Sequence, residues 1–112
     1  MNTNFKKIVV YGTLKEGFSN SLANYGGHKL ANVELNGWEM YTNSWYPQVI
    51  PGNGKIVAEL WEVPPNSIDE LDSYEGHPSL FKRTPIPELD AEMYVFQRSV
   101  QGHLRLQSGI FE

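Results

Sequence analysis

The chain has 112 residues, a net charge of −4 and no cysteine. A chain of this length can bury one adequate hydrophobic core, so residues 1–112 read as a single domain that folds without disulfide or metal. The lack of cysteine excludes thiol catalysis and zinc–cysteine sites, and the acidic balance argues against nucleic acid, which is held mainly by Lys and Arg. No apolar stretch approaches the ~20 residues of a membrane span. The N-terminal Met1-Asn2-Thr3-Asn4-Phe5-Lys6-Lys7 carries no leader-like apolar core, and the expectation is a cytoplasmic protein with no membrane partner.

The first informative stretch is Ile8-Val9-Val10-Tyr11-Gly12-Thr13-Leu14-Lys15-Glu16-Gly17. It begins as a continuous apolar run, as in a strand buried on both faces, and breaks at Gly-Thr before a charged turn. A buried strand ending there delivers backbone N–H groups to the edge of a sheet, with no side chain at Gly12 in the way. Such a loop can hold a carboxylate or an oxyanion without a cation. An ordinary first strand with a tight turn accounts for these ten residues as well.

Phe18 to Tyr25 predicts a short helix capped by Ser19 or Asn20 and ended by Gly26-Gly27. His28 to Glu34 reads as an irregular strand, Asn36-Gly37 as a two-residue turn and Trp38 to Thr42 as the next strand. Asn43 to Pro47 is a loop, Gln48 to Ile50 a short strand, and Pro51-Gly52-Asn53-Gly54 a sharp turn. Lys55 to Val63 is the longest strand predicted, apolar enough to be central.

Ser67-Ile68-Asp69-Glu70 has the form of a capping box, Gly76 suits a helix C-terminus, and Pro78 forbids continuation. Between them Ile68, Leu71 and Glu75 fall on one helical stripe, so two apolar side chains and then a glutamate point the same way. Phe81 to Ile86 and the alternating Ala91 to Arg98 are further strands, and Ser99 to Glu112 is a short strand or packed tail. Strands with one or two short helices predict an α+β fold, a small mixed-sheet β-barrel.

Glu75 is the residue with an unusual situation. At the last turn of a helix it meets the negative end of the helix dipole, and burial among Tyr11, Phe81 and Tyr94 would also oppose its ionisation. A carboxyl held so can keep and exchange a proton near neutral pH. The alternative is a frayed helix end with Glu75 in water.

Taken together, Tyr11-Gly12-Thr13-Leu14, Tyr46-Pro47, the run from Gly52 to Val63, Leu71-Asp72-Ser73-Tyr74-Glu75-Gly76 and Phe81-Lys82-Arg83 resemble the γ-glutamylcyclotransferase-like family, in particular its γ-glutamylamine cyclotransferase and AIG2-like branch. The resemblance runs from about residue 8 to residue 98. It implies that Tyr11, Gly12, Thr13 and Leu14 bind a γ-glutamyl group through backbone N–H donors and that Glu75 is the acid–base residue. It also implies that Tyr46, Phe81 and Tyr94 belong to the cavity wall. Phe81 stands where members commonly have tyrosine, so a hydroxyl contact is missing there.

The chemistry so implied is self-contained. The free α-amine of a γ-glutamyl amide attacks its own γ-carbonyl, closing 5-oxoproline and expelling an amine, with the protein folding the substrate and moving protons. No cofactor or metal is called for. His28, His77 and His103 lack ligand spacing, Ser19 and Ser21 have no partnered His and Asp, and Asp69, Glu70 and Asp72 read as exposed-face charges. His77 is expected at the pocket mouth or in solvent, and Arg83 in an ion pair or on a solvated strand. The implied partner is a small γ-glutamyl amine or isopeptide. A non-catalytic module of the same fold, recognising an acidic small molecule or a protein, is the other function considered.

Overall fold

The computed structural model describes residues 4–112; Met1 to Thr3, the start of the segment read as leaderless, lie outside the described residues. Its strands are β1 (Lys6–Val10), β2 (His28–Thr42), β3 (Pro47–Val63), β4 (Phe81–Ile86), β5 (Ala91–Phe96) and β6 (Leu104–Arg105). One α-helix, α1 (Ile68–Glu75), follows β3. The strands form one mixed sheet in the order β4-β5-β1-β3-β2-β6, with β1 parallel to β5 and antiparallel to β3. The sheet curls into a half-barrel with a single short helix, an α+β architecture. Among the described residues no helix is long and apolar enough to cross a membrane.

β1 is central because apolar side chains cover it on both faces. Val9 joins Leu35, Met40, Val49, Ile56 and Met93 in one cluster. Ile8 and Val10 join Trp61, Val63, Leu71 and Phe96 in a second cluster on the opposite face. β5 shows the predicted alternation, sending Ala91, Met93 and Val95 to the first cluster and Tyr94 and Phe96 to the second. The buried Leu71 seats α1 on the second face, so the helix end at Glu75 arrives beside the end of β1.

Two predicted turns are not turns. Asn36-Gly37 and Pro51 to Gly54 lie within the long strands β2 and β3 and oppose each other across the ladder. Asn36 pairs with Lys55 and Trp38 with Pro51, so Gly37 faces three residues of β3 in one irregularity. Leu35 and Met40 therefore reach the same cluster despite an odd spacing, and so do Val49 and Ile56. The bulge turns both strands over together and keeps the core face continuous. Local glycines gave the turn signal; the pairing partner converts it into a bend, with Glu39 accepting the Asn53 N–H at 3.2 Å. A second bulge at Leu30 explains why that leucine is 47% exposed.

Helix ends also differ from expectation. The predicted helix over 18–25 is reduced to a 3₁₀ turn, Leu22–Tyr25, capped by the Ser21 hydroxyl and ended by Gly26 rather than begun at Ser19 or Asn20. The Ser67–Glu70 capping box is not made. Ser67 ends a preceding 3₁₀ turn in helical conformation, and its hydroxyl donates to the Pro64 carbonyl at 2.7 Å. At the other end Gly76 adopts φ 65°, with the Gly76 N–H on the Ser73 carbonyl and the His77 N–H on the Asp72 carbonyl, a Schellman cap.

Candidate active site

β1 ends at Val10, and the next residues line a cavity of about 270 Å³. The structure brings together there every site residue named from sequence: Tyr11, Gly12, Thr13 and Leu14 on one side, Glu75 and Tyr94 on another, Tyr46 and Phe81 on a third. Tyr46 meets Phe81 edge-on, with ring centroids 5.7 Å apart, and Phe81 leans on Phe96 at 5.3 Å. Sequence reasoning missed Val9, Val10, Pro47, Tyr74 and Leu80, which complete the lining.

Gly12 is required, but by the protein itself. A Cβ there would lie 2.6 Å from the Pro47 ring, so glycine lets the loop pass under β3. The loop is then pinned by its carbonyls: Lys15 N–H to Gly12 (3.0 Å) and Leu22 N–H to Leu14 (2.9 Å). None of the hydrogen bonds among the described residues is donated by the N–H of Gly12, Thr13 or Leu14. Further out, Glu59 accepts the Glu16 N–H at 2.9 Å and the Trp61 indole N–H at 3.0 Å, while the Lys15 ammonium donates to the Phe111 carbonyl at 2.6 Å. Donors at the loop tip are thus left free on a backbone held from both sides.

Glu75 is partly buried and its carboxyl accepts no hydrogen bond among the described residues. Burial alone pushes its pKa up to about 7. The Tyr11 phenol donates to the Tyr94 carbonyl at 2.5 Å, and burial with the nearby charge of Glu75 drives its pKa well up. Tyr11 is therefore a neutral, fixed group beside the carboxyl.

Behind this wall lies a network that the sequence did not reveal. Asp72, expected on an exposed face, is inside it: Arg83 Nη1 donates to both of its oxygens at 2.6 Å, and the Tyr94 hydroxyl donates to Oδ1 at 2.7 Å. Arg83 Nε also lies 3.3 Å from Glu92, so the ion-pair reading of Arg83 holds. Tyr94 presents its ring to the cavity and its hydroxyl to Asp72, and its pKa is pushed far up by burial and by that carboxylate. His77 does not line the cavity and stays partly exposed, with its Nδ1 accepting the Arg83 N–H at 3.0 Å and its ring meeting Tyr94 edge-on. The network fixes α1 to β4 and β5.

Tyr74 borders the cavity with its phenol between Thr13 Oγ1 (3.1 Å) and the Asn20 amide, which donates to it at 3.2 Å. Its position just before Glu75 was the one sequence signal for it. Among the described residues no group of three His, Cys, Asp or Glu side chains is placed to hold a metal. The arrangement is a mainly apolar cavity lined by one partly buried carboxyl and by a loop whose amides donate no hydrogen bond among the described residues.

A half-barrel with a helix-end glutamate facing a strand-end loop defines a class of small-molecule site, and comparison with known proteins gives it a family. Residues 8–112 match the family model for γ-glutamyl cyclotransferase, AIG2-like proteins, and the chain belongs to that family. It is 30% identical over 105 residues to the γ-glutamylcyclotransferase family protein YtfP of Escherichia coli K12, covering 92% of this chain and 93% of the relative. It is 34% identical over 96 residues to γ-glutamylaminecyclotransferase A of Danio rerio, covering 70% of this chain and 56% of that protein. The solution structure of E. coli ytfP superposes with a TM-score of 0.78 at 30% identity over 94% of this chain and 95% of the other.

Proposed function

We propose that the protein is a cyclotransferase that releases 5-oxoproline and a free amine from a γ-glutamyl amine. The observation that carries this reading is the shared cavity of Glu75, whose proton affinity lies near neutrality, and the undonated N–H groups of Gly12 to Leu14. The γ-glutamyl group lies along the loop, where the amides receive its anionic oxygen. Glu75 takes a proton from the α-ammonium, and the freed amine attacks the γ-carbonyl carbon, closing the ring. The tetrahedral oxyanion is held by amide donors. The bond to the leaving nitrogen then breaks as Glu75 returns the proton to it. The ring nitrogen gives up its second proton as the C–N bond breaks, and that proton leaves with the expelled amine as an ammonium ion, so protons balance over the cycle and no covalent enzyme intermediate forms.

Among the described residues neither Lys nor Arg lines the cavity, so backbone dipoles carry the anion binding. The test is a panel of γ-glutamyl amines, γ-glutamyl amino acids and ε-(γ-glutamyl)lysine assayed for 5-oxoproline, with Glu75→Gln alongside. The expected outcome is product from the wild type and a loss of about 10²–10⁴-fold in the variant, the usual worth of a general acid–base group. Turnover retained in Glu75→Gln sinks the mechanism. Calorimetric binding of these compounds without product assigns a non-catalytic binding module instead.

A further inference from the structure

The segment that follows β6 takes a definite route over the half-barrel. β6 pairs with Tyr41 and Thr42 on the outer side of β2. The Leu106 N–H then donates to the Met40 carbonyl at 2.8 Å, and the Leu106 side chain lies on the first core cluster. From there the chain crosses to β3. The ladder between β1 and β3 ends at the Val10–Glu59 pair, and beyond it the Val57 N–H donates to the Gly109 carbonyl at 2.9 Å. The approach is close, since a Cβ on Gly109 would run into the Lys55 carbonyl. Gly109 thus joins β3 just where β1 has turned away into the site loop.

Phe111 then reaches that loop. The Lys15 ammonium donates to the Phe111 carbonyl at 2.6 Å and sits 5.7 Å from the centre of the Phe18 ring. The Phe18 and Phe111 rings stack with centroids 6.4 Å apart, and Phe111 packs on the first core cluster. Lys15 joins two successive turns: its N–H closes the first on the Gly12 carbonyl, and its carbonyl accepts the Phe18 N–H at 3.3 Å. One residue, Phe111, therefore holds both ends of the second turn, immediately past Gly12 to Leu14.

Lys15 does not line the cavity, and a carbonyl and an aromatic face engage its charge. What it supplies to the loop is a fixed point rather than a cation for the substrate. Resting on the reaction proposed at Glu75, we infer that residues 104–111 are a strap across the half-barrel, and that Lys15 is the positioning residue through which the strap holds the amides of Gly12 to Leu14 in register with the γ-glutamyl oxygens.

Lys15→Met and Phe111→Ala, singly and together, test the strap. Each single change should lower kcat/KM for 5-oxoproline release about tenfold, mainly through kcat, because the oxyanion needs aligned donors at the transition state. The double variant should lose about the same rather than about a hundredfold, since both changes cut one link. Lys15→Arg, which keeps a donor, should restore most of the rate. Exchange of the backbone amides at positions 15 and 22, which donate to the Gly12 and Leu14 carbonyls, should quicken about tenfold in each single variant while β1 and β3 amides hold steady. Lys15→Met removes no core group, so it carries the test even where Phe111→Ala does not fold. Unchanged kcat/KM or unchanged loop exchange overturns the strap. So do additive losses in the double variant, which would mean that the two residues act separately. Exchange that quickens evenly over the whole chain also overturns it, because the segment would then only stabilise the fold. A wild type that makes no 5-oxoproline overturns the reaction alone, and loop exchange then decides the strap by the same criterion.

Discussion

Asp72 and Glu75 stand three residues apart on the same short helix and meet opposite surroundings. Asp72 turns toward β4 and β5, where Arg83 and Tyr94 supply three short hydrogen bonds. Glu75 turns toward the end of β1, where the neighbouring groups are apolar or already engaged, and nothing donates to it among the described residues. Helix position alone cannot explain the contrast. What the adjoining strands bring decides it: one carboxylate becomes a structural anchor, the other a carboxyl that titrates near neutrality.

The sharpest consequence concerns pH. If Glu75 must be deprotonated to accept the α-ammonium proton, kcat/KM should fall about tenfold per pH unit below about 7, or some hundredfold by pH 5. A profile flat across that range would break the contrast. The same shift appears in stability. Because the folded pKa is raised, the folded protein binds the extra proton between about 4.5 and 7, so stability relative to Glu75→Gln should decline as pH rises through that window and level off above it. Urea titrations at both ends should differ by up to ~3 kcal/mol.

A second test removes the anchor. Arg83→Met leaves Asp72 in a half-closed site without its cation, and unfolding free energy should drop by about 1–3 kcal/mol. The acidic limb of the rate profile should also move upward, since an unpaired charge one turn away opposes ionisation of Glu75. An unmoved limb would mean that the two carboxylates are electrostatically independent. The smallest effect is expected from Tyr74→Phe, which deletes the contacts to Thr13 and Asn20 at the cavity edge. A rise of about two- to tenfold in KM, with less change in kcat, would fit a positioning role for that hydroxyl.

Much of this site was legible because its parts are punctuated locally. Gly76 and Pro78 mark where α1 stops, the 68–71–75 stripe gives its direction, and the apolar run ending at Gly12-Thr13 marks the end of β1. Asp72 and Tyr74 were not legible as site neighbours. Their contacts depend on how β4, β5 and the Asn20 segment are brought against the helix, and no spacing within the helix encodes that. The turn signals at Asn36-Gly37 and Pro51 to Gly54 misled for the same reason, since each is a turn by local preference and half of a bulge once the strands pair. Ser67 failed as a cap because Pro64 and Pro65 had already begun a 3₁₀ turn.

Gly76 carries one more implication. At φ 65° it occupies a conformation costly to any residue with a side chain, and a Cβ there would press within 3.0 Å of Leu80, itself part of the cavity lining. In evolutionary terms Glu75 and Gly76 should behave as one heritable unit. A lineage that loses the glycine distorts the wall beside the glutamate even while the glutamate is retained, so drift at the silent-looking position should be as constrained as drift at Glu75.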